Sequence, residues 1–231
     1  MSGSVEADLL LLAVHFVTRP GLPAAHEAAG DTAILPRYFQ VDGDSRTVFI
    51  GRGSAVEAMT FAGEPGDPPE VATLGPAPAP AHFTEAQAAF LVAAAAWIHA
   101  DVTFNETAQL KLLSPDARCF GAVGPKAIVA GNMALSKTIR FGMPHPIVVD
   151  YLNAIVTWDF DVIPRQRGEA AAAAAGAGSV EDAGRGTDVV HIDVRNDEKA
   201  VGLVARVDTL RHQPIQPPWV RTQICDGVSD E

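Results

Sequence analysis

The sequence predicts an α+β protein in which antiparallel β-hairpins pack against a central helical layer. Two alternating stretches closed by turn residues, at 37–50 and 187–210, carry the β half of this prediction. A capped amphipathic helix over 84–100 carries the other half.

Residues 1–62 read as a β-rich segment. It opens on a mostly apolar run, 9–17, preceded by Glu6 and Asp8 where a secretory leader carries Lys or Arg, so a core element is expected and not a signal peptide. Residues 38–41 and 46–50 flank Asp42-Gly43-Asp44-Ser45, whose Asp-Gly supplies the positive φ angles of a tight hairpin. Over 63–81 the composition shifts to Gly, Pro and acidic residues. Pro65, Pro68, Pro69, Pro76, Pro78 and Pro80 forbid a helix or a central strand there, which predicts a linker or long surface loop.

Residues 82–164 form the expected helical and mixed core. Thr84 followed by Gln87 is a capping box, in which hydroxyl and amide each satisfy a backbone N–H at the helix start. Phe90, Leu91, Ala94, Trp97 and Ile98 share one arc of about 120°, the core-facing stripe. Ala89, Ala93, Ala96 and Ala100 form a second stripe bearing only methyl groups. Another backbone can approach closely along it, from the same chain, which is favoured, or from a neighbouring copy. Asn105 caps a short helix running to Leu113, where Ser114-Pro115-Asp116 ends it by turn chemistry. The short apolar runs 127–130 and 147–149 fit strand or helix equally, and Pro144 and Pro146 around His145 impose extended backbone. Residues 150–158 fit a helix, whereas the alternation over 158–163 fits a strand.

Residues 165–186, rich in Ala and Gly, are expected as an exposed, mobile insertion. Val190, Ile192 and Val194 then alternate with polar residues, as do Val201, Leu203, Ala205 and Val207 after Asn196-Asp197-Glu198-Lys199. Pairing Arg195 with Ala200 places Val194 by Val201, Ile192 by Leu203 and Val190 by Ala205. The stretch 211–231 reads as an extended arm that Trp219 anchors on the body or on a neighbour. One domain is expected overall.

At 231 residues, 48% hydrophobic and 19% charged, the chain can bury a core without staples. A net charge of −11 removes the electrostatic attraction to nucleic acid and anionic membrane, so neither is an expected direct partner. The apolar run 88–98 is shorter than the ~20 residues a bilayer needs. Cys119 and Cys225 form neither a CxxC nor a zinc spacing, which points to reduced thiols and a cytoplasmic setting.

Each motif with chemical potential has a plain structural reading beside it. Gly51-Arg52-Gly53-Ser54-Ala55-Val56 begins like a dinucleotide fingerprint, but Val56 stands at the third glycine, so a glycine-containing strand exit is preferred. Gly121-Ala122-Val123-Gly124-Pro125-Lys126 lacks the Gly-Lys-Ser/Thr ending of a phosphate loop and reads as a turn. Cys119, with His99 or His145 as base and Asp101 or Asp150 as orienter, has the parts of a nucleophile; a buried thiol is the simpler account. His99/Asp101 and His191/Asp193 are His-x-Asp pairs, the first read as a solvated helix end and the second as a polar outer strand face. Asp159 and Asp161 read as the wet side of an amphipathic strand. No cofactor or metal site is expected.

Functionally, the absent catalytic signatures, the alanine stripe, the hairpin edges and the Trp219 arm favour a non-enzymatic assembly protein in a homo-oligomeric complex such as a virion, tail or shell, with Ala89, Ala93, Ala96, Ala100 and Trp219 as interface. The alternative is a small cytoplasmic enzyme or ligand-binding protein with its site between the sheet and the 84–163 region. A partner-binding module that uses the tail 211–231 is the third possibility.

Overall fold

The computed structural model describes residues 4–19, 34–64, 66–78, 82–142, 146–165 and 184–211. Helix α1 (Val5–Thr18) precedes strands β1 (Tyr38–Asp42), β2 (Thr47–Arg52), β3 (Ala55–Thr60) and β4 (Glu70–Leu74). Helices α2 (Glu85–Val102) and α3 (Glu106–Leu112) lead into β5 (Leu113–Cys119) and β6 (Ala122–Val123). After α4 (Pro125–Leu135) come β7 (Ile139–Phe141), β8 (Ile147–Asp150), β9 (Ile155–Pro164), β10 (Gly184–Asn196) and β11 (Ala200–Arg211). The strands form one sheet in the order β4-β3-β2-β1-β8-β9-β10-β11-β5-β6, with β7 pairing β9. The fold class is α+β as the sequence predicts, and both expected hairpins lie in this single sheet, joined through β8 and β9. Every pairing is antiparallel except that of β11 with β5. His145 and the expected tail 212–231, with Trp219 and Cys225, lie outside the described residues, as does 166–183 of the expected insertion.

Helix α2 is built as its sequence dictates. The Gln87 N–H donates to the Thr84 hydroxyl at 3.2 Å and the Thr84 N–H donates to the Gln87 side chain at 3.0 Å, closing the capping box. Phe90, Leu91, Ala94, Trp97 and Ile98 are all buried. Replacing Thr84 by Ala removes one acceptor from the helix start and is expected to lower stability by about 1 kcal/mol in urea denaturation.

The second hairpin differs from expectation in register. Arg195 stands opposite Val201, not Ala200, which puts Val194 by Gly202 and Ile192 by Val204; a bulge at Ala205 then brings Val190 opposite Val207. Along β11 the buried residues are therefore Gly202, Val204, Val207 and Thr209, while Val201 is exposed. The cause is the neighbouring helix. A Cβ placed on Gly202 would meet Ala93 Cβ at 2.6 Å and the Ala89 carbonyl oxygen at 2.7 Å, so α2 rests on β11 through its alanines and the glycine. A hydrophobic-pattern count gives glycine no weight, yet here it faces the core.

Several other elements also depart from the sequence-based expectation. α1 is a helix within the stretch read as β-rich. Ser4 caps it by accepting the Ala7 N–H, and the buried Leu9, Leu10, Ala13, Val14 and Val17 follow a helical period that the nearly continuous apolar run conceals. In the first hairpin the positive φ falls on Arg46, at 52°, rather than on Gly43, and Arg46 Nε donates to the Phe61 carbonyl at 2.7 Å. The proline-rich 63–81 contains β4, an edge strand exposed at all five residues, which its flanking prolines permit. Ser114-Pro115-Asp116 lies inside β5, whose pairing with β11 skips from Leu113 to Arg118 and leaves the proline unladdered. Residues 150–158 are not helical. Asp150 accepts the Leu152 and Asn153 N–H groups in a turn, and β9 follows. The strand after the Ala/Gly-rich stretch begins at Gly184, inside the expected insertion.

Candidate functional site

The inner face of the sheet is a continuous apolar surface: Val156, Trp158, Phe160 and Val162 on β9, then Val190 and Ile192 on β10, then Val204 and Val207 on β11. Strand alternation extends this face two residues toward the start of β10, to Asp188, which stands opposite Thr209 on one side and Trp158 on the other. The core stripe of α2 likewise extends by one turn beyond Trp97, to Asp101. Two carboxyls thus enter the core from opposite layers, and each is only 5% exposed.

The polar groups around them come from every layer. Thr209 donates its hydroxyl to Asp188 at 2.5 Å. Asn132 of α4 donates its amide to Asp101 at 3.3 Å and to Gln109 of α3 at 3.1 Å, and Gln109 donates to the Ala100 carbonyl at 3.1 Å. Gln109 is fully buried. No cationic side chain stands against Asp101 or Asp188 among the described residues. Burial raises the Asp101 pKa well above the usual carboxylate range, and the proximity of Asp188 raises it further. Burial pushes Asp188 up to about 7; the Thr209 hydrogen bond opposes this and Asp208 adds to it.

Both carboxyls line a cavity of about 30 Å³, room for one or two water molecules. Trp97, Phe141, Phe160 and Ile139 make most of the remaining wall apolar. The buried indole Nε1 of Trp97 has no hydrogen-bond partner among the described residues. Cys119, Phe120, Asn132 and Leu135 line this cavity and also a second, outer one of about 260 Å³ that runs along α4.

Of the residues singled out in sequence, Cys119 and Asp101 come together at the inner cavity. Asp101 is buried and not solvated as a helix end suggests, because it continues the core stripe. His99 points elsewhere: its Nε2 lies 3.0 Å from Asp8 on α1. Asp150, half-buried at the end of β8, is held below its usual pKa by its hydrogen bonds from Asn153. The parts of a Cys-His-Asp nucleophile are thus not assembled among the described residues. His191 faces Asp208 at 3.3 Å across the strand pair, and Asp193 is exposed, both on the outer face. Asp159 accepts from Thr187 at 2.5 Å and Asp161 lies 3.4 Å from Arg185, also on the outer face. Gly51 to Val56 is the β2–β3 hairpin, with Gly53 at φ 59°; Gly121, at φ 75°, turns β5 into β6, and Gly124, at φ 83°, leads into α4 with Pro125 at its first residue. Ala93 and Ala100 are buried and Ala89 and Ala96 half-buried, the first two stripe positions lying against Gly202 of the same chain. No group of three or more His, Cys, Asp or Glu suited to a metal ion occurs among the described residues.

Sequence reasoning did not single out Asp188, Thr209, Gln109 or Asn132. A signal existed for two of them. Asp188 is two residues before Val190 on the inward period of β10, and Asn132 is four residues after Ile128 on the buried face of α4.

No protein-family profile matches the chain, and no curated protein matches it. Among solved structures it is similar to an NTF-2-like protein of unknown function from Burkholderia xenovorans LB400, at 16% identity over 63% of this chain and 100% of that one, with a TM-score of 0.38. It is also similar to a ketosteroid isomerase-like protein from Erwinia carotovora atroseptica SCRI1043, at 15% identity over 57% of this chain and 100% of that one, with a TM-score of 0.38.

Proposed function

We propose that the protein binds a small uncharged molecule by an oxygen-bearing head at the Asp101–Asp188 cavity and carries out proton transfer on it. One observation carries this: two buried carboxyls meet at one cavity with no cation against either among the described residues. Two such groups resist ionising together, so one member can hold a proton as donor while the other serves as base. That combination suits general acid–base chemistry at a carbonyl or hydroxyl. A carboxylate ligand is repelled. A cationic amine would have to shed its hydration in a largely apolar cavity, which favours an uncharged, oxygen-bearing head.

A direct test follows the exchange of α-hydrogens of methyl ethyl ketone in D2O by proton NMR. The protein is expected to accelerate exchange over buffer, and Asp101→Asn and Asp188→Asn are each expected to lose at least about tenfold of that acceleration while keeping the native far-UV spectrum. No acceleration by the unaltered protein, together with no melting shift across a panel of small ketones, alcohols and amides, sinks the proposal. The assembly reading has less to rest on, because Ala89 and Ala93 already stand against Gly202 inside the chain.

A further inference from the structure

The inner cavity, at about 30 Å³, admits a head group and little more, so a molecule bound there must place its body elsewhere. The outer groove adjoins it across Cys119, Phe120, Asn132 and Leu135. At about 260 Å³ it has the volume the inner cavity lacks. One face of α4 forms its floor, where Ala127, Gly131 and Ala134 recur at helical spacing and carry at most a methyl group. A Cβ built on Gly131 meets no atom within 4 Å, so the groove is open there and the glycine is not required by a close contact. Among the described residues, no charged side chain lines this groove.

We propose that the groove along α4 holds the apolar tail of the ligand whose oxygen head sits between Asp101 and Asp188. The ligand is then an amphipathic small molecule, an uncharged carbonyl or hydroxyl head on an alkyl chain. This inference rests on the acid–base reading of the inner cavity and adds the ligand class and the path it follows. The partition of Cys119, Phe120 and Leu135 is where head and tail join.

The test compares methyl hexyl ketone with methyl ethyl ketone by ligand-observed NMR titration on the full chain. The unaltered protein is expected to bind the longer ketone at least about tenfold more tightly, since each buried methylene contributes ~0.8 kcal/mol. Gly131→Leu fills the groove and is expected to bring the ratio of the two affinities close to one. Because it replaces a glycine in the interior of a helix, the variant should melt no lower than the unaltered protein. Ala130→Leu, on the exposed side of α4 and outside the groove, is expected to keep the full ratio. Equal affinities in the unaltered protein, or a full ratio in Gly131→Leu, overturn the groove assignment. If the short ketone exchanges its protons but the long one gains nothing, the groove inference alone fails. If neither ketone binds or exchanges, the acid–base reading falls with it.

Discussion

Asparagine in place of Asp188 is expected to stabilise the protein at neutral and higher pH and to flatten the dependence of its stability on pH. The sign follows from proton counts. Burial raises the folded-state pKa of Asp188 to about 7 from an ordinary value of 3.8, and Asp101 is raised as well, by burial and then by Asp188. Between those two values the folded protein holds more protons than the unfolded chain, so stability from this pair is full below about pH 4 and is lost as the pH climbs through about 7. For Asp188 the loss is on the order of 4 kcal/mol, since each tenfold gain in proton affinity on folding is worth about 1.4 kcal/mol. Asparagine has no proton to lose and keeps a carbonyl oxygen to accept the Thr209 hydroxyl. Urea melts at several pH values between about 4.5 and 8 measure the effect. The unaltered protein should lose stability across that window, and Asp188→Asn should lose markedly less. Parallel curves would show that the buried pair does not share a proton. A markedly smaller loss in Asp188→Asn would favour a chemical role for Asp188 over a folding role, since asparagine has nearly the same shape.

The elements legible in the sequence are those whose cause is local. The Thr84–Gln87 cap, the Asn105 cap and the presence of the two hairpins, though not the register of the second, follow from residues within a few positions of one another. The elements that were not legible depend on distant partners. α1 sits in a nearly continuous apolar run whose buried face, Leu9, Leu10, Ala13, Val14 and Val17, is set by the sheet and α2 packed against it, while Leu12 stays exposed. β5 carries Ser114-Pro115-Asp116 without turning because β11 passes over those residues unpaired. Asp150 is the sharpest case: its carboxylate accepts N–H groups two and three residues ahead, as a helix cap does, and the local chemistry is the same whether a helix or a turn follows. At Ala154, with φ 55°, the chain reverses into β9, a choice made by pairing with β8.

The candidate site was half visible for a different reason. The cavity lies between the sheet and helices α2 and α4, and two residues that line it, Asp101 and Cys119, stand out in sequence because they belong to titratable or nucleophilic types. Their true company does not. Asn132 and Gln109 are ordinary polar residues until α3 and α4 fold over the end of α2. Asp188 breaks an apolar period, and a charged residue at the end of a buried row is easily taken for the end of the strand. A polar residue that continues a buried stripe is therefore the pattern to look for, as Asp101 does on α2 and Asp188 on β10.

Valine in place of Gly202 is expected to destabilise the protein by about 3 kcal/mol, against the sign that strand propensity alone predicts. The new Cβ would lie 2.7 Å from the Ala89 carbonyl oxygen and 2.6 Å from the Ala93 Cβ. The methyl of Ala93 is a small obstacle, but the Ala89 oxygen is helix backbone, and α2 moves off it only by disturbing the packing of Trp97 and Ile98 beneath. Combining Gly202→Ala with Ala93→Gly should therefore recover part of the loss and not all of it, with a coupling energy on the order of 1 kcal/mol after the cost of a helical glycine is counted. The same substitution discriminates between two registers of the last hairpin. With Arg195 opposite Ala200, Gly202 turns to the outer face, and valine there would be neutral or stabilising. With Arg195 opposite Val201, Gly202 is under α2 and valine is not tolerated. A chemical denaturation curve for the single variant decides between them, and it decides at the same time which way the alanine stripe is used, because a helix seated on Gly202 through Ala89 and Ala93 cannot offer those two residues to a second copy.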